Sequence, residues 1–145
     1  MTELLGNEIL VCATCAWMIA QVLKVLIDWL VSHTFDARRF FGMGGMPSSH
    51  AAFLVALTTM VASREGLDST AFAISLALTM VVVYDAMGVR YQTGKQSHVL
   101  NRILHRMLVE GQPLGEKELQ ELIGHTPTEV FFGGVIGLIV PIFFR

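Results

Sequence analysis

Residues 42–50 form the first of three short polar segments whose side chains could perform chemistry. The segment is rich in glycine, carries Pro47, Ser48 and Ser49, ends in His50 and runs directly into an apolar stretch. Glycine allows close backbone approach, proline suits a first helical turn and serine caps free amides. The pattern predicts a helix N-terminus that binds a phosphate group, with His50 facing that group. The alternative is a serine-capped helix with an incidental histidine.

The second polar segment, residues 84–90, combines an acid with an arginine. Asp85 and Arg90 stand at the end of an apolar stretch, and Gln96 follows a few residues later. Ionised groups at the edge of a membrane span are costly unless they are paired or used by a function. The segment therefore indicates either a functional acid and cation or an Asp85–Arg90 ion pair at the membrane interface.

The third polar segment, residues 124–130, places a histidine before a carboxylate. His125 and Glu129 are four residues apart and share a face if one helix includes both. A carboxylate beside an imidazole can fix its tautomer and raise its basicity, as acid–base and nucleophilic sites require. The alternative is a polar turn that caps a helix. Under either interpretation, Gly133 and Gly137 predict a close helix–helix contact.

The composition indicates that these segments belong to a membrane protein. Hydrophobic residues make up 53% of the chain and charged residues 15%, against roughly 25% charged in soluble domains. A soluble globule of this size has a large surface to cover and would need more charge. The net charge of −2 argues against a nucleic-acid partner, since such proteins normally carry a basic excess.

Four apolar stretches predict an all-α bundle of about four transmembrane helices in a single domain covering residues 1–145. The stretches are residues 9–31, 51–62, 71–87 and 130–144. The second and fourth reach the required length of about 20 residues only if the polar residues before them are also helical. Apolar residues at helical spacing within 99–108 predict a short amphipathic helix between the third and fourth spans.

Four crossings place the three polar segments at one membrane face. Together they supply what transfer through a phosphohistidine requires: one histidine attacks phosphorus, a second protonates the leaving oxygen, and cations with backbone amides hold the phosphate. The scheme needs no metal or cofactor. Basic residues cluster in the two loops at this face, which predicts the cytoplasmic side of a bacterial inner membrane. These residues are Arg38, Arg39, Lys95, Arg102 and Arg106.

The motifs resemble those of the superfamily of type-2 phosphatidic acid phosphatases and vanadium-dependent haloperoxidases. Residues 47–50, Pro-Ser-Ser-His, resemble its P-S-G-H motif, with serine in place of glycine. Residues 125–130, His-Thr-Pro-Thr-Glu-Val, resemble the latter half of its third motif, with Glu129 where aspartate is usual. Residues 88–90 resemble the first half of that motif. The combination resembles the small bacterial and plant branch described as acid phosphatase/vanadium-dependent haloperoxidase-related.

The chain departs from the family pattern at two places. Gln96 stands where the third motif has a histidine, so Arg90 and His125 are separated here by a polar insertion. Lys24 and Arg39 match the first motif only loosely, because they lie farther apart than its lysine and arginine.

The resemblance implies that His125 is the nucleophile, that Glu129 orients it and that His50 is the general acid for the leaving group. The phosphate-binding residues that it implies are Arg90, Ser48 and Ser49, assisted by Arg39 or Lys24. Asp85, which has no counterpart in the family pattern, and Gln96 are predicted to support the site.

The predicted function is that of a membrane phosphatase or phosphotransferase acting on a lipid phosphate or a polyprenyl diphosphate. Its predicted partners are membrane lipids and a second copy of the chain, with the glycine face of the last helix as one contact. One alternative is a magnesium-dependent enzyme in which Asp85 and Glu129 hold the ion. The other is a non-catalytic module that binds anions or lipids, which Gln96 favours because the third motif is not intact.

Overall fold

The computed structural model describes residues 6–33, 45–88, 96–97, 100 and 126–144, and every element within them is helical. Helix α1 spans Glu8–Ser32, α2 spans Ser49–Glu65, α3 spans Thr70–Met87 and α4 spans Pro127–Ile139. A short 3₁₀ helix, Val140–Phe144, extends α4. The prediction of an all-α bundle is confirmed. The amphipathic helix predicted within residues 99–108 lies outside the described residues.

Each of these four helices begins directly after a polar residue whose side chain accepts hydrogen bonds from the first backbone amides. Such caps satisfy donors that have no partner within the helix. The capping residues are Asn7, Ser48, Ser69 and Thr126. Because α2 begins at Ser49 and α4 at Pro127, the polar residues before the second and fourth apolar stretches do extend these helices.

Helix α2 is the central helix of the bundle. The other three, counting α4 with its extension, are long and apolar enough to cross a membrane. With 17 residues, α2 is about 25 Å long, slightly less than a hydrocarbon core of about 30 Å. It packs against α1, α3 and α4, whereas in the described part of the chain α1 and α3 do not pack against each other. Helix α2 can carry many hydroxyl residues because most of its surface faces protein.

Small and hydroxyl side chains make the contacts of α2 with α1 and α3. Cys12 and Ala16 of α1 pack against Ala56 of α2 in one buried cluster. The Thr58 and Thr79 hydroxyls form a buried 2.8 Å hydrogen bond between α2 and α3. Small residues allow close backbone approach, and interhelical hydrogen bonds satisfy polar groups away from water.

Helix α4 runs parallel to α2 and touches its backbone. A Cβ atom at Gly133 would lie 2.2 Å from the Ser48 carbonyl oxygen, and one at Gly137 would lie 2.7 Å from the Ala52 carbonyl oxygen. The predicted glycine contact is therefore confirmed, and its partner is α2 of the same chain. The homodimer stays a prediction, and the glycine face, its suggested contact, packs against α2 within the chain.

The bundle has two distinct ends. At one end, the Arg64 guanidinium pairs with the Glu8 carboxylate and donates a 3.2 Å hydrogen bond to the Phe144 carbonyl oxygen. At the other end, Ala51, Ala86 and Val130 form a buried cluster that joins the start of α2, the end of α3 and the start of α4. The described parts of the three polar segments therefore lie at the same end of the bundle, as the four-crossing arrangement predicts.

Candidate functional site

The starts of α2 and α4 are joined by a backbone hydrogen bond. The Ser48 N–H donates to the Glu129 carbonyl oxygen at 2.9 Å. The two helices are parallel, so the positive ends of both helix dipoles lie side by side. A pair of helix N-termini at one place attracts an anion more strongly than either terminus alone.

Lys24 of α1 reaches the same region from the neighbouring helix. Its side chain is 5% exposed and lies against Gly45, where a Cβ atom would be 3.4 Å from Lys24 Cγ and 3.5 Å from Lys24 Cδ. Gly45 has a φ of +87°, a conformation that favours glycine. The Lys24 ammonium also interacts electrostatically with the Glu129 carboxylate. Lys24 therefore lies next to the segment that leads into α2, despite its position within a membrane-spanning helix.

The two serines of the first polar segment are deeply buried. Ser48 is fully buried and Ser49 is 2% exposed. Ser48 Oγ accepts a 3.4 Å hydrogen bond from the Ala51 N–H, so it serves as the cap of α2. Both residues lie where the chain enters the helix, and their position fits the predicted phosphate cradle.

Glu129 takes part in a capping box at the start of α4. Thr126 Oγ1 accepts a 3.3 Å hydrogen bond from the Glu129 N–H, and Glu129 Oε2 accepts one of 3.3 Å from the Thr126 N–H. The capping interpretation of this segment is thus confirmed. It is compatible with the electrostatic attraction between Glu129 and the Lys24 ammonium, because that attraction also acts beyond hydrogen-bond distance.

The other residues predicted for the site differ in how far the structure describes them. Arg39, Arg90 and His125 lie outside the described residues. Asp85 is half-buried in the last turn of α3, and Gln96 is exposed.

His50 lies on a different side of α2 from the contact with α4. It follows Ser48 by two residues, which is about 200° around a helix. His50 is exposed and lines a cavity of about 350 Å³. The cavity lies on α2, between the neighbouring helices α1 and α3. Its other lining residues are Thr14, Trp17, Phe53, Leu54 and Val82. This groove is largely apolar and has the imidazole at the end nearest the α2 N-terminus.

Gln21 is a buried polar residue near Lys24 that the sequence reasoning did not single out. It is 5% exposed, and among the described residues its Oε1 has no hydrogen-bond partner. It precedes Lys24 by three residues, so both lie on the buried side of α1. The small residues Ala13, Ala16 and Ala20 mark that side in the sequence and could have revealed it.

These features define a class: a helical integral membrane protein with two joined helix N-termini and a buried lysine at one end. The family model described as the divergent PAP2 family matches residues 5–140. The chain is also similar to the uncharacterized membrane protein YuiD of Bacillus subtilis (strain 168), with 40% identity over 148 residues that cover 95% of this chain and 94% of that protein. The chain belongs to the divergent PAP2 family, which confirms the resemblance inferred from its motifs. No solved structure matches it.

Proposed function

We propose that this protein is a membrane phosphatase or phosphotransferase that acts on a lipid phosphate through a phosphohistidine intermediate. The observation that carries this proposal is the Ser48–Glu129 hydrogen bond, which brings two helix N-termini together next to the buried Lys24. Two positive helix ends and an ammonium group favour a negatively charged phosphate group and the charge that develops on its oxygens in the transition state. The family membership supports the same chemistry.

In the proposed reaction, the phosphate lies over the N-terminus of α2. His125 directly precedes the Thr126 cap of α4 and attacks phosphorus from the α4 side. His50 lies on the groove side and donates its proton to the leaving lipid oxygen. An in-line displacement needs the attacking and leaving atoms on opposite sides of phosphorus, and the proposal assigns these two sides to His125 and His50.

The second step regenerates the enzyme. His50, now neutral, takes a proton from water as that water attacks the phosphohistidine. The bond between phosphorus and the His125 nitrogen breaks, and inorganic phosphate leaves. Arg90 and Arg39 are proposed to assist Lys24 in holding the phosphate oxygens. A second lipid alcohol in place of water would make the reaction a phosphoryl transfer.

A lipid is the substrate class that suits the surroundings of the site. The proposed phosphate position is at the end of the bundle, at the depth of lipid headgroups, and the adjoining groove is lined mainly by apolar side chains. A hydrocarbon chain of a membrane lipid can approach such a groove from the side without crossing water. We propose that the site faces the cytoplasm, because most of the basic residues of the sequence lie in the loops at this end.

The test is phosphate release from a panel of lipid phosphates by the purified protein in detergent. The wild type is expected to release phosphate from at least one lipid, whereas His125→Ala should be inactive and His50→Ala severely impaired. Asp68→Asn, in the turn between α2 and α3 at the other end, is the matched control and should retain full activity. Release that resists chelators and is blocked by vanadate would exclude the magnesium alternative. A wild type that binds lipid phosphates but never releases phosphate would show the non-catalytic alternative to be correct.

A further inference from the structure

Gln21 presents an unused hydrogen-bond acceptor one helical turn from Lys24, a residue of the proposed phosphate site. The side chain is 95% buried, since only 5% is exposed, and Oε1 has no partner among the described residues. A buried polar atom without a partner is costly, so native proteins rarely retain one without a reason. Elsewhere in the described bundle, the buried hydroxyls of Thr58, Ser75 and Thr79 all form hydrogen bonds.

The position of Gln21 relates this acceptor to the ligand. It lies one helical turn before Lys24, on the same buried side of α1. Lys24 in turn lies against Gly45 and interacts with Glu129, next to the start of α2 and α4. Gln21 is therefore one turn deeper in the bundle than the groups proposed to hold the phosphate.

We propose that Gln21 determines specificity by accepting a hydrogen bond from a hydroxyl group of the bound phospholipid. This inference rests on the phosphate site of the proposed function. It adds the requirement that the ligand carries an O–H donor, which helix N-termini and a lysine cannot impose. Those groups recognise negative charge alone, whereas an acceptor recognises an O–H donor. The donor can be the P–OH of a phosphate monoester or an alcohol of the headgroup. A ligand without any donor would leave Oε1 unpaired, and a site built around a hydrogen bond discriminates against such a ligand.

The experiment measures binding of three short-chain lipids in the His125→Ala background, in which the proposed mechanism does not consume them. Phosphatidic acid carries its donor on the phosphate, phosphatidylglycerol carries donors on the headgroup, and phosphatidylcholine carries none. Gln21→Met keeps the length of the side chain but removes the acceptor. Glu65→Met replaces an exposed polar side chain at the end of α2 far from the proposed site and is the control.

Gln21→Met is expected to weaken binding of at least one donor-bearing lipid about tenfold and to leave phosphatidylcholine binding unchanged. The lipid for which the affinity falls shows whether the donor is on the phosphate or on the headgroup. The unliganded variant should unfold at the same or a higher temperature than its parent, because an unpaired buried acceptor has been removed. This result separates recognition from a merely structural role.

Three outcomes would overturn the inference: unchanged affinity for all three lipids, equal loss for all three, or no binding of any of them by the parent protein. Its failure is distinguishable from failure of the proposed catalysis. Phosphate release by the wild type combined with unchanged binding by Gln21→Met would reject only the role of Gln21. Selective loss of binding in a protein that never releases phosphate would reject only the catalysis.

Discussion

The Ser48 N–H donates a 2.9 Å hydrogen bond to the Glu129 carbonyl oxygen, and this bond joins two polar segments that are about eighty residues apart in the sequence. The glycines of α4 allow this hydrogen bond to form, because they let α4 pack closely against α2. Gly133 lets α4 lie against the Ser48 carbonyl group, which no residue with a Cβ atom could do without displacing one helix. The close packing of the helices thus creates the paired N-termini on which the proposed phosphate site depends.

Gly133→Ala and Gly137→Ala are expected to destabilise the protein by about 1–3 kcal/mol or more, because each added Cβ would overlap the backbone of α2. Gly134→Ala is the matched control. Its Cβ would meet only Val55 Cγ2, at 4.0 Å, and alanine favours a helix over glycine by up to about 1 kcal/mol. Thermal unfolding in detergent measures all three. Equal stability of the three variants would contradict the packing described here.

Lys24→Met is expected to weaken binding of a lipid phosphate about ten- to a hundredfold, because a charge-assisted hydrogen bond to the phosphate is lost. Binding is measured with the purified protein in detergent. Unchanged affinity of Lys24→Met would contradict a phosphate-binding role for Lys24.

The control for Lys24 is Arg64→Met, which removes a cation at the opposite end of the bundle. The Arg64–Glu8 pair is partly exposed, with side chains 46% and 65% accessible, so its loss should change stability by less than about 1 kcal/mol and leave lipid binding intact. Equal loss of binding in both variants would mean that Lys24 acts only through the net charge of the protein.

His50→Ala is expected to slow release from a lipid phosphate by roughly a hundredfold or more, the usual contribution of a general acid. With p-nitrophenyl phosphate the loss should be much smaller, because a nitrophenolate leaves readily without a proton. The ratio of the two effects measures the role of His50 as an acid. Equal losses on both substrates would assign His50 to binding instead.

Single cysteines at two exposed positions test the orientation of the protein. In a background with Cys12 and Cys15 replaced by alanine, Asp68→Cys should react with a membrane-impermeant maleimide in intact cells. Gln96→Cys should react only after permeabilisation, because it lies in the loop that carries Lys95, Arg102 and Arg106. The reverse pattern would place the proposed site on the outer face.

Much of the fold follows from the sequence because helix limits depend on local signals. The apolar stretches and the polar caps such as Ser48 and Thr126 define where the described helices begin. The contact of Gly133 and Gly137 could be predicted from their spacing, but its partner could not. Two surfaces must be known to decide whether a glycine face packs within the chain or against a second copy.

The site was harder to predict because it depends on how each helix is rotated within the bundle. Gln21 and Lys24 look alike in the sequence, as polar interruptions of an apolar run, and only their burial shows that both face the interior. His50 is adjacent to Ser49 in the sequence, yet Ser49 is buried and His50 is exposed in the groove where α1 and α3 are separated. A one-residue step turns a helix by about 100°, which separates these two neighbours.

The most direct test of the central claim is to trap the covalent intermediate. The wild-type protein is incubated briefly with a lipid phosphate that it hydrolyses, denatured at alkaline pH, at which phosphohistidine persists, and digested for mass spectrometry. We predict one phosphoryl group on the peptide containing His125, lost on acid treatment and absent from His125→Ala. Phosphate release without a phosphorylated His125 peptide, or equal labelling of the His125→Ala protein, would contradict the phosphohistidine mechanism.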